Sequence, residues 1–125
     1  LRSMLKYLHL FVILTLCLPV FGGTLTNLTS QNRVRILKVV DNFEEGIIEE
    51  MRRGKVVESC MKIADAYNAS IELQILMKKD LYELTGGFLT LKTDCANLDL
   101  VKIDELYLNQ ISRHLALVKQ SFGKI

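Results

Sequence analysis

Apolar residues recur at intervals of three and four along most of this chain, the period of an α-helix with one buried face. From Val34 they fall at Val34, Leu37, Val40, Phe43, Ile47 and Met51. Thr29 or Ser30 is placed to cap the start of this first helix, and Gly54 to end it. A second stripe over residues 56–84 takes in Cys60, Ala64, Tyr67, Ile71, Ile75, Leu81 and Leu84, with Glu58, Lys62, Asp65, Glu72, Lys79 and Glu83 opposite. The third opens near Asp99, a suitable cap, and carries Ile103, Tyr107, Ile111, Leu115, Val118 and Phe122. Between the last two, Gly86-Gly87 reads as a break, and residues 88–95 fit either a short helix or an extended return. Gly46 inside the first helix costs up to about 1 kcal/mol relative to Ala, so it marks a kink or a close approach of another backbone. Stripes of this kind cannot bury themselves alone. They predict an all-α fold: a small helical bundle of three long amphipathic helices, with a short fourth allowed. Its core is expected to centre on Leu37, Phe43, Tyr67, Ile71, Tyr107, Ile111 and Leu115.

Ahead of the stripes the pattern is different. Lys6 precedes an apolar run from Leu8 to Phe21 that closes on Gly22 and Gly23. The run falls about six residues short of the roughly 20 that span a bilayer, and it has the basic flank and small-residue exit of a secretory signal peptide. Cleavage is expected after Gly22, with Val20 and Gly22 at the small −3 and −1 positions and Met4 as the natural start. Residues 1–22 are then the signal peptide, and residues 23–125 form a single helical domain, secreted to the extracellular space, with no membrane span after cleavage. Removing Arg2 and Lys6 from the 16 basic residues leaves a balance with the 14 acidic ones. Charge balance speaks against nucleic acid as a partner. The short basic clusters at Arg33-Val34-Arg35, Arg52-Arg53-Gly54-Lys55 and Lys78-Lys79 have acidic neighbours and read as solvated helix faces.

Secretion sets the meaning of the cysteines. Cleavage removes Cys17, and the remaining pair, Cys60 and Cys95, is expected as a disulfide in an oxidising compartment. Bridged Cα atoms must lie within about 7 Å, whereas a helix from Cys60 to Leu84 carries the chain about 36 Å. The return to Cys95 covers that distance only if nearly extended, and about 17 Å if helical. An intramolecular bridge therefore calls for a second helix interrupted at Asn68-Ala69-Ser70 or an extended return after Gly87. The alternatives are a bridge between chains, which makes a covalent homodimer, or free buried thiols.

Two sequons, Asn27-Leu28-Thr29 and Asn68-Ala69-Ser70, mark Asn27 and Asn68 as glycosylation sites. Catalytic chemistry is poorly represented. His114 reads as a half-exposed helix residue beside the core stripe, and no spacing of Cys, His and carboxylates matches a metal or cofactor site. The pairs Glu44-Glu45 and Glu49-Glu50 near Arg52 and Arg53 read as surface charge pairing. No catalytic residue, cofactor or metal is expected. Two non-enzymatic functions remain: an extracellular protein that acts through protein–protein interaction, which is preferred, or a carrier of a small apolar ligand in the bundle core. Met51, Met61 and Met77 are scattered rather than gathered around a cavity, and no motif is specific to a family.

Overall fold

Helix is already present at residue 26, where the computed structural model begins to describe the chain; it describes residues 26–125. Residues 1–22, expected to form a signal peptide, lie outside the described residues. Helix α1 (residues 26–40) ends at a turn in which Asn42 adopts φ 51°. Asparagine tolerates this left-handed conformation better than other non-glycine residues because its short side chain bonds locally. A π-helical turn, Glu44–Ile48, then runs into the short helix α2, Glu49–Arg52. Thr29 and Ser30 therefore lie inside α1 and do not cap it, and the expected continuous first helix is broken at Asn42. Gly46 does mark a kink: it sits in the π-turn, and no other atom would lie within 4 Å of a Cβ placed there. Within this wider turn the consecutive residues Ile47 and Ile48 both face the core, as Val39 and Val40 do in α1.

Gly54 ends α2 as expected. At φ 90° it closes a Schellman cap, with Gly54 N–H donating to Met51 O at 3.0 Å and Lys55 N–H to Glu50 O at 2.9 Å. Helix α3 (Val56–Met77) follows, and α4 (Tyr82–Ala96) returns along it. The turn between them is a second Schellman cap built on Lys78, at φ 51°, with Lys78 N–H bonding Ile75 O and Lys79 N–H bonding Gln74 O. Gln74 Oε1 also accepts from Leu81 N–H at 2.9 Å, which ties the end of α3 to the start of α4.

This hairpin corrects the expected route of the chain. Helix α3 is unbroken through Asn68-Ala69-Ser70, the return is helical, and Gly86-Gly87 lie within α4 rather than at a break. Cys60 and Cys95 nevertheless form a disulfide within the chain, with Cα atoms 5.8 Å apart. The chain reverses at Lys78, six residues before Leu84. The climb from Cys60 to Met77 is about 26 Å and the descent from Tyr82 to Cys95 about 20 Å, so two helical legs nearly match and the turn makes up the remainder.

Helix α5 (Glu105–Gly123) packs antiparallel to α4. Asp104, not Asp99, caps it, its Oδ1 accepting from Leu106 N–H at 3.0 Å. Asp99 instead shapes the connecting loop by accepting from Val101 N–H at 2.9 Å. The core is formed by Ile36, Val39 and Val40 of α1, Ile47, Ile48 and Met51, Ile63 and Leu73 of α3, Leu84, Phe88 and Leu91 of α4, and Leu108, Ile111, Leu115 and Val118 of α5. Of the expected core centres, Ile111 and Leu115 are fully buried, Phe43, Tyr67, Ile71 and Tyr107 are half-buried, and Leu37 is 43% exposed. On α3 the buried stripe is Val56, Ser59, Ile63, Ala66, Ala69, Ser70 and Leu73, rotated from the stripe of larger residues. Small side chains face the interior there and let the helices approach, while Tyr67 lies at the edge under the Lys92 ammonium, 4.6 Å from its ring centre.

Candidate functional site

The α1–α3 seam carries the most developed surface geometry. At its middle Arg35 of α1 reaches across to α3, and all five of its N–H bonds find acceptors. Nε and Nη2 form a fork on the Asp65 carboxylate at 3.1 and 2.8 Å, and Nη2 also reaches Asp65 O at 3.2 Å. Nη1 donates to Glu72 Oε2 at 3.2 Å and Asn32 Oδ1 at 2.7 Å. Asp65 and Glu72 are seven residues apart, two turns of α3, so both carboxylates stand on the face that meets α1. The hydrogen bond from Arg35, and then its charge, hold the Asp65 carboxyl below its ordinary value, and the same bond raises the Arg35 guanidinium. Both groups are substantially exposed, so the pair contributes at most about 1 kcal/mol. Its larger effect is geometric, because a two-pronged contact fixes the register of one helix on the other.

On one side of this clamp lies an open groove of about 570 Å³ lined by Lys38, Val39, Glu58, Met61 and Lys62. Met61, which lines it, is 67% exposed, and the exposed Val34 of α1 lines an adjoining groove together with Arg35 and Lys38. On the other side a smaller groove of about 210 Å³ is lined by Leu28, Asn32, Glu72, Ile75 and Leu76. Asn32 is only 2% exposed. Its Oδ1 is taken by Arg35, and its Nδ2 is buried without a hydrogen-bond partner.

No protein-family model, curated protein or solved structure matches the chain.

A second polar cluster lies between α4 and α5. Asp94, 5% exposed, sits beside the disulfide and gathers three α5 residues spaced at three and four. Tyr107 OH donates to Asp94 O at 3.0 Å, Gln110 Nε2 donates to Asp94 Oδ1 at 3.2 Å, and His114 Nδ1 lies 2.5 Å from Asp94 Oδ2. A carboxylate only accepts, so Nδ1 carries the proton and the imidazole is held in one orientation. This resembles a base and its orienting acid, yet among the described residues no hydroxyl or thiol bonds the imidazole: its partner is Asp94, and Cys60 and Cys95 are bridged. The cluster satisfies a buried carboxylate and sets the register of α5 on α4.

The sequence-level site residues are dispersed. Asn27 and Asn68 are exposed, Asn68 flanking the seam on α3, and Ser70 of its sequon is buried. His114 is half-exposed, as expected, but its buried partner Asp94 was missed. A polar stripe, Tyr107, Gln110 and His114, beside an apolar one was the available signal. Of the two glutamate pairs, Glu49-Glu50 serves surface pairing, Glu49 meeting Arg52 and Arg53 and Glu50 meeting Lys62, whereas Glu44 accepts from Ser112. Arg52 also joins Glu105, tying α2 to α5. Among the described residues, no three His, Cys, Asp or Glu side chains stand together as a metal site, and no helix is long and apolar enough to cross a membrane.

Proposed function

We propose that this is a secreted, non-enzymatic helical-bundle protein that acts in the extracellular space through protein–protein interaction, with the α1–α3 seam as its contact face. The observation that carries this is a pair of large apolar side chains left exposed at the seam, Met61 in a groove rimmed by both signs of charge and Val34 in the groove beside it. Such mixed surfaces suit a partner interface, in which apolar contacts supply affinity and charges select the partner. The signal-peptide-like pattern of residues 1–22 and the disulfide support an oxidising, extracellular destination. N-glycans belong to the same proposal, on Asn27 and Asn68, both of which are exposed. A carrier of an apolar ligand is the less favoured function, since the grooves described above are open surface features and the core positions are filled by Ile, Leu, Val and Phe side chains.

The test is binding of the tagged, secreted protein to a panel of cells and to extracellular fluid, with Val34→Glu/Met61→Glu as the comparison. Both positions are exposed, so the fold is retained. Saturable binding by the wild type that falls at least tenfold in the variant supports the seam. Equal binding by the two proteins, or a lipid co-purifying with the native protein in mass spectrometry, refutes it.

A further inference from the structure

We infer that the outer face of α3 is a self-association surface, on which two copies of this chain pack in parallel and in register with Asn68 paired across a two-fold axis. This goes beyond the contact with an external partner proposed above and stands or falls separately from it.

Helix α3 carries two stripes. The core takes Val56, Ser59, Ile63, Ala66, Ser70 and Leu73. On the opposite face Val57, Met61, Ala64, Asn68, Ile71 and Ile75 follow one another at steps of four, three, four, three and four, the seam repeat of a coiled coil. The solvent face of a helix is normally polar. Here Val57, Met61 and Ile75 are exposed, Ile75 by 68%, and Ala64 and Ile71 are half-buried. A separate peptide of this length is a marginal helix. The bundle and the Cys60–Cys95 bridge already hold α3 in that form, so association does not have to order it.

Two properties of the stripe select a second copy and its orientation. The first is its one amide. Met61, Asn68 and Ile75 lie seven residues apart, and in a parallel pair residues at such a position meet their own counterparts, so the two Asn68 amides face each other, donor to acceptor. An antiparallel pair sets Asn68 against Ala64 of the partner subunit and leaves the amide in apolar surroundings without a bond. The second is charge. Glu58, Asp65 and Glu72 line the edge of the stripe toward α1, where Asp65 and Glu72 meet Arg35. The edge toward α4 is formed by Cys60, Tyr67 and Gln74, with the Lys92 ammonium over the Tyr67 ring. A parallel pair sets the acidic edge of each copy against the α4 edge of the other and brings Lys92 to Glu72 of the partner subunit. An antiparallel pair sets the acidic edge against itself. A glycan on Asn68 would stand in the central layer, so the dimer belongs to chains whose Asn68 is bare, and glycosylation there holds the protein monomeric.

The test is sedimentation equilibrium of the disulfide-bonded chain from residue 23 onward, made without glycans in a bacterial periplasm. A reversible monomer–dimer equilibrium is expected. Ile75→Glu, exposed in the monomer and facing its own counterpart in the dimer, should weaken association about tenfold or more. Asn68→Ile should tighten it and relax the restriction to two chains. Lys92→Glu should weaken it, and Lys92→Glu combined with Glu72→Lys should restore it, with urea unfolding showing that each variant is folded. A chain that stays monomeric at every concentration, a dimer indifferent to Ile75→Glu, or no recovery in the charge-swapped variant overturns the parallel pairing on α3. Dimerisation by chains from secreting cells that carry a glycan on Asn68, identified by intact mass, overturns it as well.

Discussion

Adjacent alanine substitutions at Gly86 and Gly87 should act in opposite directions, because only one of the two glycines faces another helix. A Cβ at Gly87 would stand 2.6 Å from Val118 Cγ2 of α5, while nothing lies within 4 Å of one at Gly86. Ordinary carbon contacts are about 3.5–4.0 Å, so the intruding methyl is about 1 Å too close. Val118 is 1% exposed and β-branched, which restricts it to one rotamer in a helix and leaves it no open space to swing into. Relief requires α4 and α5 to separate, a form of overpacking that costs about 1–3 kcal/mol. Both substitutions gain the same helix propensity, up to about 1 kcal/mol. The difference between the two variants therefore isolates the steric effect. Gly86→Ala should stabilise by up to about 1 kcal/mol, and Gly87→Ala should be about 1–3 kcal/mol less stable than Gly86→Ala. Adding Val118→Ala to Gly87→Ala should cost less than the two single changes summed, since the shortened side chain makes room. Urea unfolding followed by circular dichroism, with the disulfide intact, measures the wild type, the three single variants and the double variant. Equal stabilisation by both alanines would refute close α4–α5 packing at this point.

Replacing both bridged cysteines, Cys60→Ser with Cys95→Ser, should cost about 4 kcal/mol for a closure spanning 35 residues, read from the same unfolding experiment; non-reducing peptide mapping should find the linked pair in a monomer. Lys78→Gly should stabilise by about 1 kcal/mol, because it removes a side chain from a left-handed position, and a loss of stability would contradict the α3 cap. The Asp65 carboxyl titrates below its ordinary 3.8 when folded, so its contribution is complete at neutral pH and is lost as pH falls through that lowered value. Arg35→Gln should flatten this acid limb by at most about 1 kcal/mol, and an unchanged limb in stability measured from pH 6 to 2 would remove the clamp.

The helical class and the α5 stripe were legible because large apolar residues mark both the pattern and the buried face: Ile111, Leu115 and Val118 are where periodicity puts them. On α3 the interior is lined by Ser59, Ala66, Ala69 and Ser70, small residues that periodicity weighs lightly, and so the large residues at the edge were taken for the core. The route of the chain was obscured for a related reason. Glycines mark breaks in most sequences, yet here the turn falls on Lys78 while Gly86 and Gly87 sit within α4, one exposed and one serving a close contact. That single displacement turned a feasible disulfide into an apparent conflict. Of the candidate site, the basic run at Arg33-Val34-Arg35 was noted, but its partners Asp65 and Glu72 and the orphaned amide of Asn32 depend on how two helices lie together. Pairings of this kind leave no trace in the spacing of one helix alone.

Residue-specific photocross-linking tests the proposed contact face most directly. A photoreactive phenylalanine analogue is placed at Met61, in the seam, or at Leu117, exposed on α5, and each variant is irradiated with the cells or fluid it binds. A covalent adduct with a partner polypeptide from position 61 and none from position 117 is the predicted result. An adduct from 117 alone, or none from either position while binding persists, would contradict the assignment of the α1–α3 seam.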